Sequence, residues 1–203
     1  MDVTPGSHST RRLHVAARDA ALNLPPELPP VLVFTDPVRS APPLVLAQHI
    51  PPGWGLVFRH FGAPDRVQIA TQIAELARIR RFALLIGADP DLAWRVKSDG
   101  VHWPEAKRRE AVRSAGSFRL NTMSAHRPSA VLGPQPPGID ARILSTVFPS
   151  ASPSAGPAIG ATRFRALAIR ARIPIYGLGG VNPTTAGSMS NFGGLAGVGQ
   201  LTD

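Results

Sequence analysis

Cysteine is absent from this chain of 203 residues. Neither disulfide bonds nor thiolate metal sites can therefore hold its fold or carry its chemistry. No apolar run approaches the roughly 20 residues that a membrane-spanning helix needs, which argues against a membrane protein. Acidic residues are scarce as well, since the chain has 13 Asp and Glu but 22 Lys and Arg. The formal net charge of +9 raises the question of a nucleic-acid partner.

The basic residues do not form a single patch in the sequence. They fall mainly within residues 78–81, 107–113 and 163–172, in three predicted helices whose solvent-exposed faces account for them. The chain contains no RNA-binding aromatic motif and no zinc finger. We therefore expect no nucleic-acid partner and no membrane association. The start of the chain carries arginines but no apolar secretory core, which predicts a cytoplasmic protein.

Residues 1–27 show little periodicity and end in Leu24-Pro25-Pro26. They are predicted to form a flexible N-terminal tail that can include a short helix around Arg11–Ala21. Residues 28–203 are predicted to form one domain, because 43% of the chain is hydrophobic and a sizeable core can be buried.

Eight short apolar runs alternate with helical segments along this domain. The runs begin near residues 31, 55, 82, 100, 118, 142, 173 and 195. This alternation predicts an α/β fold, a compact (β/α)8 TIM barrel. The fifth helix, within 127–138, is expected to be stunted, and no clear eighth helix follows the last strand. The domain falls below the usual minimum of about 200 residues for this fold. An incompletely closed barrel, or one completed by a partner in a homodimer, is therefore an alternative.

The apolar run 173–178 ends at a glycine pair, Gly179-Gly180, and a second glycine-rich turn follows at 193–199. Barrels of this type often bind phosphate in the loops after strands 7 and 8. Glycine N–H groups can approach an anion closely, and Asn182 and Pro183 predict a helix over 183–190. A dinucleotide fingerprint is a weaker alternative, because Asn182 replaces its third glycine. A glycine-rich turn that binds no ligand is a second alternative.

The order of motifs along the chain resembles the thiamine phosphate synthase/TenI family. The likeness extends from about Val31 to Leu201. It is carried by Phe34-Thr35-Asp36, Arg59, Gly100-Val101-His102-Trp103-Pro104, Ser124-Ala125-His126, Val147-Phe148-Pro149, the glycine motif at 175–182 and Gly197-Val198. The resemblance implies the same barrel fold. It also implies one of two activities.

In this family the synthase joins a thiazole phosphate to a pyrimidine diphosphate with magnesium and releases pyrophosphate. The TenI branch includes a tautomerase that aromatises the thiazole phosphate by moving a proton. The resemblance implies that His126 is the catalytic proton carrier. It implies a set of residues that bind the phosphorylated thiazole: Arg59, His102, Trp103, Ser124, Ser150, Ser152, Gly179, Gly180, Gly199 and Gln200.

The chain departs from the synthase pattern where that enzyme binds magnesium and pyrophosphate. Ala88 and Lys107 stand where the synthase has acidic magnesium ligands, and Ser150-Ala151-Ser152-Pro153 lacks its lysine. Magnesium needs hard oxygen ligands, which alanine and lysine do not supply. We therefore predict a tautomerase-like protein without a cofactor. A magnesium-dependent synthase, with Asp89 as a shifted ligand, and a non-catalytic barrel that binds a phosphorylated ligand remain alternatives.

Several candidate residues also have a purely structural interpretation. His126 could be a hydrogen-bonded structural histidine, and packing is favoured for His102 because no proton partner is evident. Trp103 could stack on a heterocycle or cover the top of the barrel. Arg59 could clamp a phosphate or form a buried ion pair with Asp36.

Overall fold

A computed structural model describes residues 5–153, 155–199 and 201. Eight parallel strands pair in chain order and form a closed barrel. They are β1 Val31–Phe34, β2 Gly55–Phe58, β3 Ala83–Gly87, β4 Gly100–Trp103, β5 Leu120–Ala125, β6 Ala141–Ser145, β7 Ile175–Leu178 and β8 Gly194–Val198. The first strand pairs with the last, with Phe34 opposite Val198. The predicted (β/α)8 barrel is confirmed, and the chain closes it without a partner.

Within the described residues, seven α-helices surround the barrel. They are α1 Pro5–Leu22, α2 Pro43–His49, α3 Arg66–Arg80, α4 Pro90–Val96, α5 Arg108–Ser114, α6 Pro128–Leu132 and α7 Gly160–Arg170. The helix after β5 has only five residues, as the proline-rich sequence predicts. Short helices explain how the barrel closes with so few residues. Within the described ranges, no helix is long and apolar enough to cross a membrane.

Residues 5–22 form the helix α1, which is longer than the short helix predicted around Arg11–Ala21. Its buried face consists of Leu13, Ala16, Ala17 and Ala20, which follow helical spacing. The helix packs against β8 and covers a flank of the barrel that an eighth helix would otherwise cover. Three alanines give a weak hydrophobic pattern, which is why the sequence underestimates this helix.

The connection from β7 to β8 also differs from the prediction. Instead of a helix over 183–190, the structure has turns and a single 3-10 turn at Ala186–Ser188. The Asn182 carboxamide oxygen accepts hydrogen bonds from the N–H groups of Thr184 at 2.8 Å and Thr185 at 3.1 Å. This Asx turn forms as expected for a helix start, but Thr, Gly and Ser then favour turns over helix propagation.

Side chains of the strands point alternately into the barrel and towards the helices. Leu32, Phe34, Val57, Ile143 and Tyr176 belong to the cluster inside the barrel. Their neighbours along the strands belong to a second, larger cluster between the barrel and the helices. This alternation decides which residues near the carboxyl ends of the strands can reach a ligand.

Candidate active site

A cavity of about 550 Å³ opens at the carboxyl ends of β6, β7 and β8. Its size is typical of a site for a small metabolite. Five of the predicted binding residues line it: Arg59, Ser150, Ser152, Gly179 and Gly180. The structure adds lining residues that were not predicted, among them Arg39, Ser145 and Thr146. We call this cavity the mouth cavity.

The glycine pair forms one wall of the mouth cavity in a backbone conformation that favours glycine. The φ angles of Gly179 and Gly180 are +96° and +61°. A Cβ atom at Gly180 would lie 2.4 Å from the carbonyl oxygen of Pro149, which no side chain allows. Among the described residues, neither glycine N–H has an acceptor within hydrogen-bonding distance. Two free amides in a tight turn are donors that an anion can use.

The other glycine turn contributes differently from the prediction. Gly197 and Val198 line the mouth cavity. Gly199 follows with φ +64° and packs near the carbonyl oxygen of Arg39 and near Ser40. It shapes the loop after β1 beside the cavity. Gln200, also predicted to bind the ligand, lies outside the described residues.

Two guanidinium groups share one carboxylate at the edge of the mouth cavity. The Nη2 atoms of Arg39 and Arg59 lie 2.5 Å and 3.3 Å from Oδ2 of Asp36. The hydrogen bond from Arg39 is the largest cause that lowers the Asp36 pKa from 3.8 to about 2. Burial lowers the pKa of Arg59, and the Asp36 charge partly opposes this shift. The two cations against one anion leave a positive charge facing the cavity.

The Arg59 guanidinium forms the ion pair that was one of the two interpretations of the sequence, and its position leaves the phosphate clamp as a prediction. It pairs with Asp36, and its Nε donates to the carbonyl oxygen of Thr35 at 3.0 Å. It also lines the mouth cavity. Arg39 could not be singled out in the sequence, because it sits in the loop after β1 with no motif around it. Its position three residues after Asp36 is the one signal that could have indicated a pair.

His102 lies inside the barrel, where it is buried. Its Nδ1 is 2.9 Å from Oγ1 of Thr122, and its Nε2 is 3.1 Å from Oγ of Ser124. Burial, with smaller contributions from the charges of Arg59 and His126, lowers the His102 pKa from 6.5 to about 3. The imidazole is therefore neutral near pH 7. It ties together two strands beneath the site.

Trp103 is misassigned by the sequence analysis. It points away from the barrel interior, is fully buried, and belongs to the cluster under the helices. Its Nε1 donates to Oδ1 of Asn121 at 3.2 Å. Because adjacent strand residues face opposite sides, the inward position of His102 forces Trp103 outward. It can neither stack on a ligand nor cover the top of the barrel.

His126 follows β5 directly, but it does not line the mouth cavity. It is exposed and borders a side cavity of about 210 Å³. Its Nδ1 lies 3.1 Å from Oγ of Ser145. Ser145 and Thr146 line both cavities and separate the imidazole from the mouth. The predicted position over the ligand is therefore corrected, since Ser145 stands between His126 and the mouth cavity.

The residues near the ends of β3 and β4 do not fit a magnesium ion. Lys107 places its Nζ 3.1 Å from the carbonyl oxygen of Ala88 and 3.2 Å from a carboxylate oxygen of Glu110. Asp89, the candidate shifted ligand, forms an ion pair with Arg66 and caps α4. Ala88 has no side-chain oxygen that could bind magnesium, and Lys107 carries a positive charge. No cluster of three His, Asp or Glu suited to a metal exists within the described residues.

The fold and the site together define a (β/α)8 barrel whose carboxyl face can hold an anionic metabolite between glycine amides and two arginines. The family model for thiamine monophosphate synthase, TMP-TENI, matches residues 46–200. The chain therefore belongs to the thiamine phosphate synthase/TenI family, as its motifs indicate.

The sequence identity between the chain and individual members of the family is low. Over 131 residues the chain is 28% identical to the thiamine biosynthesis bifunctional protein ThiED of Geobacter sulfurreducens, covering 64% of this chain and 27% of the relative. It is 31% identical over 122 residues to a thiamine-phosphate synthase of Synechococcus sp. strain WH7803, with 59% and 35% covered. The chain thus spans about a third or less of either protein.

A solved structure with the same fold is the thiamine phosphate pyrophosphorylase from Pyrococcus furiosus. The TM-score is 0.70 at 20% identity, and the match covers 85% of this chain and 86% of that one. This similarity supports the shared barrel architecture.

Proposed function

We propose that the chain binds a phosphorylated thiazole in the mouth cavity and catalyses a tautomerase-like proton transfer on its ring. One observation carries this proposal: free amides and arginines line the mouth cavity, whereas a cation, Lys107, stands where the synthase has an acidic magnesium ligand. Free amides of Gly179 and Gly180 and the charge of Arg39 and Arg59 favour a phosphate ester. Lys107, placed on the carbonyl oxygen of Ala88, disfavours magnesium chemistry.

The phosphate would lie against the glycine turn, with the arginines and the loop serines around it. Charge-assisted hydrogen bonds of this kind are stronger than neutral ones. Ser150 and Ser152 line the same cavity and add hydroxyl groups that can donate to phosphate oxygens. Anchoring one end of the ligand in this way orients its ring towards the end of β6, where Ser145 lies.

The proton transfer would use Ser145 and His126 in series. The Ser145 hydroxyl, on the wall of the mouth cavity, receives a proton from a ring carbon of the thiazole tautomer while its own proton passes to His126 Nδ1. The reverse transfer delivers a proton to the carbon outside the ring that shares the exocyclic double bond. That double bond thereby moves into the ring, and the ring becomes aromatic without a redox change or a leaving group. A histidine suits this exchange because its ordinary pKa lies near neutral pH.

The magnesium-dependent synthase is the second candidate. It is favoured by the names of the relatives, which include thiamine-phosphate synthases. That reaction joins the thiazole phosphate to a pyrimidine diphosphate and must stabilise pyrophosphate as it leaves. Ala88 and Lys107 supply no carboxylate for a metal ion, and the Ser150–Pro153 loop has no lysine for the pyrophosphate. A barrel that only binds the phosphorylated ligand is the third candidate.

One experiment separates the three candidates. The protein is incubated with the non-aromatic thiazole phosphate tautomer in EDTA, and in parallel with the pyrimidine diphosphate and magnesium. We expect aromatic thiazole phosphate in both mixtures and no appreciable thiamine phosphate. Robust magnesium-dependent formation of thiamine phosphate would establish the synthase instead. Calorimetric binding of the thiazole phosphate without any turnover would establish the binding-only barrel.

A further inference from the structure

A second cavity, of about 470 Å³, lies at the opposite end of the barrel. It is bounded by the segments that precede strands β1 to β5 and by the ends of helices α3 and α4. We call it the lower cavity. The amino end of such barrels normally serves stability, and catalysis occupies the other end. A cavity here, with its own pattern of charge, is not explained by the proposed reaction.

Positive charge predominates around the lower cavity. Arg78, Arg81, Lys97 and Arg119 line it, against the carboxylates of Glu27 and Asp99. Arg119 and Asp99 neutralise each other through an ion pair at 2.7 Å. The Arg78 guanidinium donates to the carbonyl oxygen of Val96 at 3.0 Å and retains its charge. Three cations therefore remain opposite Glu27.

Two of these cations have no partner among the described residues. Within the part of the chain that the structure describes, the side chains of Arg81 and Lys97 form no hydrogen bond or ion pair. Both residues are exposed, so their ammonium and guanidinium groups can reach a ligand at the rim. The base of the cavity contains Leu28, Phe82 and Leu84, which are buried and apolar. This combination suits an anionic group carried on a small organic body.

The backbone at the same two cations is unusual. Arg81 ends α3 with φ +61°, and Lys97 ends α4 with φ +53°. Helices that end in this left-handed conformation usually place glycine there, because other side chains are strained. Favourable interaction with the helix dipole is one reason for a cation at a helix end. The helix dipole does not explain why two successive helices each end beside the same cavity in a cationic residue with a strained backbone.

We propose that the lower cavity is a second ligand site, for a small molecule that carries a phosphate or pyrophosphate group. Arg81 and Lys97 would bind the anion, Arg78 would add charge, and the apolar base would contact the rest of the molecule. A concave site of this size fits a metabolite better than a nucleic-acid chain, which needs an extended surface. Since the site joins the amino ends of several strands, its occupation would stabilise the barrel.

Inorganic pyrophosphate is a suitable probe, and isothermal titration gives the number of sites. We expect two equivalents to bind the unmodified chain, one in each cavity. Arg81→Gln combined with Lys97→Gln should remove the lower site and leave one equivalent. Each of these changes alone should weaken the lower site by about tenfold or more, as expected for a lost charge-assisted hydrogen bond. Arg80→Gln, which changes a neighbouring cation outside the cavity, is the matched control and should have no effect.

A second pair of variants separates binding from structure. Arg81→Gly with Lys97→Gly relieves the left-handed strain, so it should raise Tm while it abolishes the stabilisation by pyrophosphate. Glu27→Gln removes the opposing carboxylate and should tighten the lower site.

Three results would overturn the proposal: an unchanged number of sites in the Arg81 and Lys97 double variant, an equal loss of affinity in Arg80→Gln, or displacement of pyrophosphate from this site by a short single-stranded RNA. If only the mouth cavity fails to bind, the unmodified chain binds one equivalent of pyrophosphate and the double variant binds none. The two proposals therefore fail with different results.

Discussion

The Ser145 hydroxyl lies 3.1 Å from Nδ1 of His126 and belongs to the walls of both cavities that meet there. A histidine outside the mouth cavity is thereby connected to the position of the ligand. Ser145→Ala should break this connection. Positioned acid–base groups contribute about 10²–10⁴-fold in rate. We expect turnover to fall within that range in Ser145→Ala and in His126→Gln, as measured by product formation.

Binding of the thiazole phosphate should change little in either variant, because neither side chain is placed at the phosphate. Calorimetry on both variants checks this point. The double variant should be about as slow as each single variant if the two groups act in one chain. Full turnover in Ser145→Ala would mean that His126 reaches the ring without the serine. Full turnover in His126→Gln would remove it as the proton carrier.

The phosphate site makes a separate prediction for the two arginines. Arg59→Gln or Arg39→Gln should weaken binding of inorganic phosphate by about 10- to 100-fold, the worth of a charge-assisted hydrogen bond. Asp36→Asn is the matched control, since it removes the carboxylate that both guanidiniums share and should tighten binding. Titration calorimetry gives the three affinities. Equal affinity in the parent and the arginine variants would place the phosphate elsewhere.

Magnesium affinity should appear when the two acidic positions are restored. Ala88→Asp with Lys107→Asp supplies two carboxylates and removes the ammonium group that lies on the carbonyl oxygen of residue 88. Ala88 has φ +54°, a conformation that aspartate tolerates better than most side chains. We expect saturable binding of magnesium by calorimetry in this variant and none in the uncharged pair Ala88→Asn, Lys107→Asn. Tight magnesium binding by the parent would contradict our interpretation of the site.

Acid should destabilise the fold through His102. Its pKa falls from 6.5 to about 3 on folding because the imidazole is buried. Between these values the unfolded chain binds a proton that the folded chain excludes, so stability is fully present above pH 6.5 and declines towards pH 3. The decline is up to about 1.4 kcal/mol per pH unit.

Urea denaturation at pH 7.5 and pH 5 measures this slope. His102→Gln should flatten it. The Asp36 carboxylate, whose pKa falls from 3.8 to about 2, contributes stability that is lost only at lower pH, between those values. Working above pH 4.5 therefore excludes the Asp36 contribution. Burial lowers the pKa of His60 as well, so the difference between the parent and His102→Gln gives the part of the slope that belongs to His102.

The sequence predicts well the features that depend on local pattern. Apolar runs and turn residues locate the eight strands, and the glycine pair locates one wall of the mouth cavity. It fails where the environment is set by distant residues. Trp103 sits among motif residues, yet strand alternation turns it outward once His102 faces inward. Arg39 joins the site only because the loop after β1 lies beside the turn after β8.

Helix α1 shows a different limit. Its buried face is mostly alanine, so its stability depends on a groove that exists only in the folded barrel. Periodicity alone underestimates such a helix. The same reasoning applies to the turn at Ala186–Ser188, where residues compatible with a helix start lack the side chains to continue it.

The contact between α1 and β8 sets an order of events during synthesis. The helix leaves the ribosome on the order of ten seconds before the strand that it covers, given typical elongation rates. Until then Leu13 and its neighbouring alanines have no groove to occupy. Pairing of β1 with β8, which begins with Val31 opposite Leu195, must also wait until β8 has been synthesised. Because contacts so distant in sequence form slowly, the final closure of the barrel is the step at which a nascent chain is most exposed to aggregation.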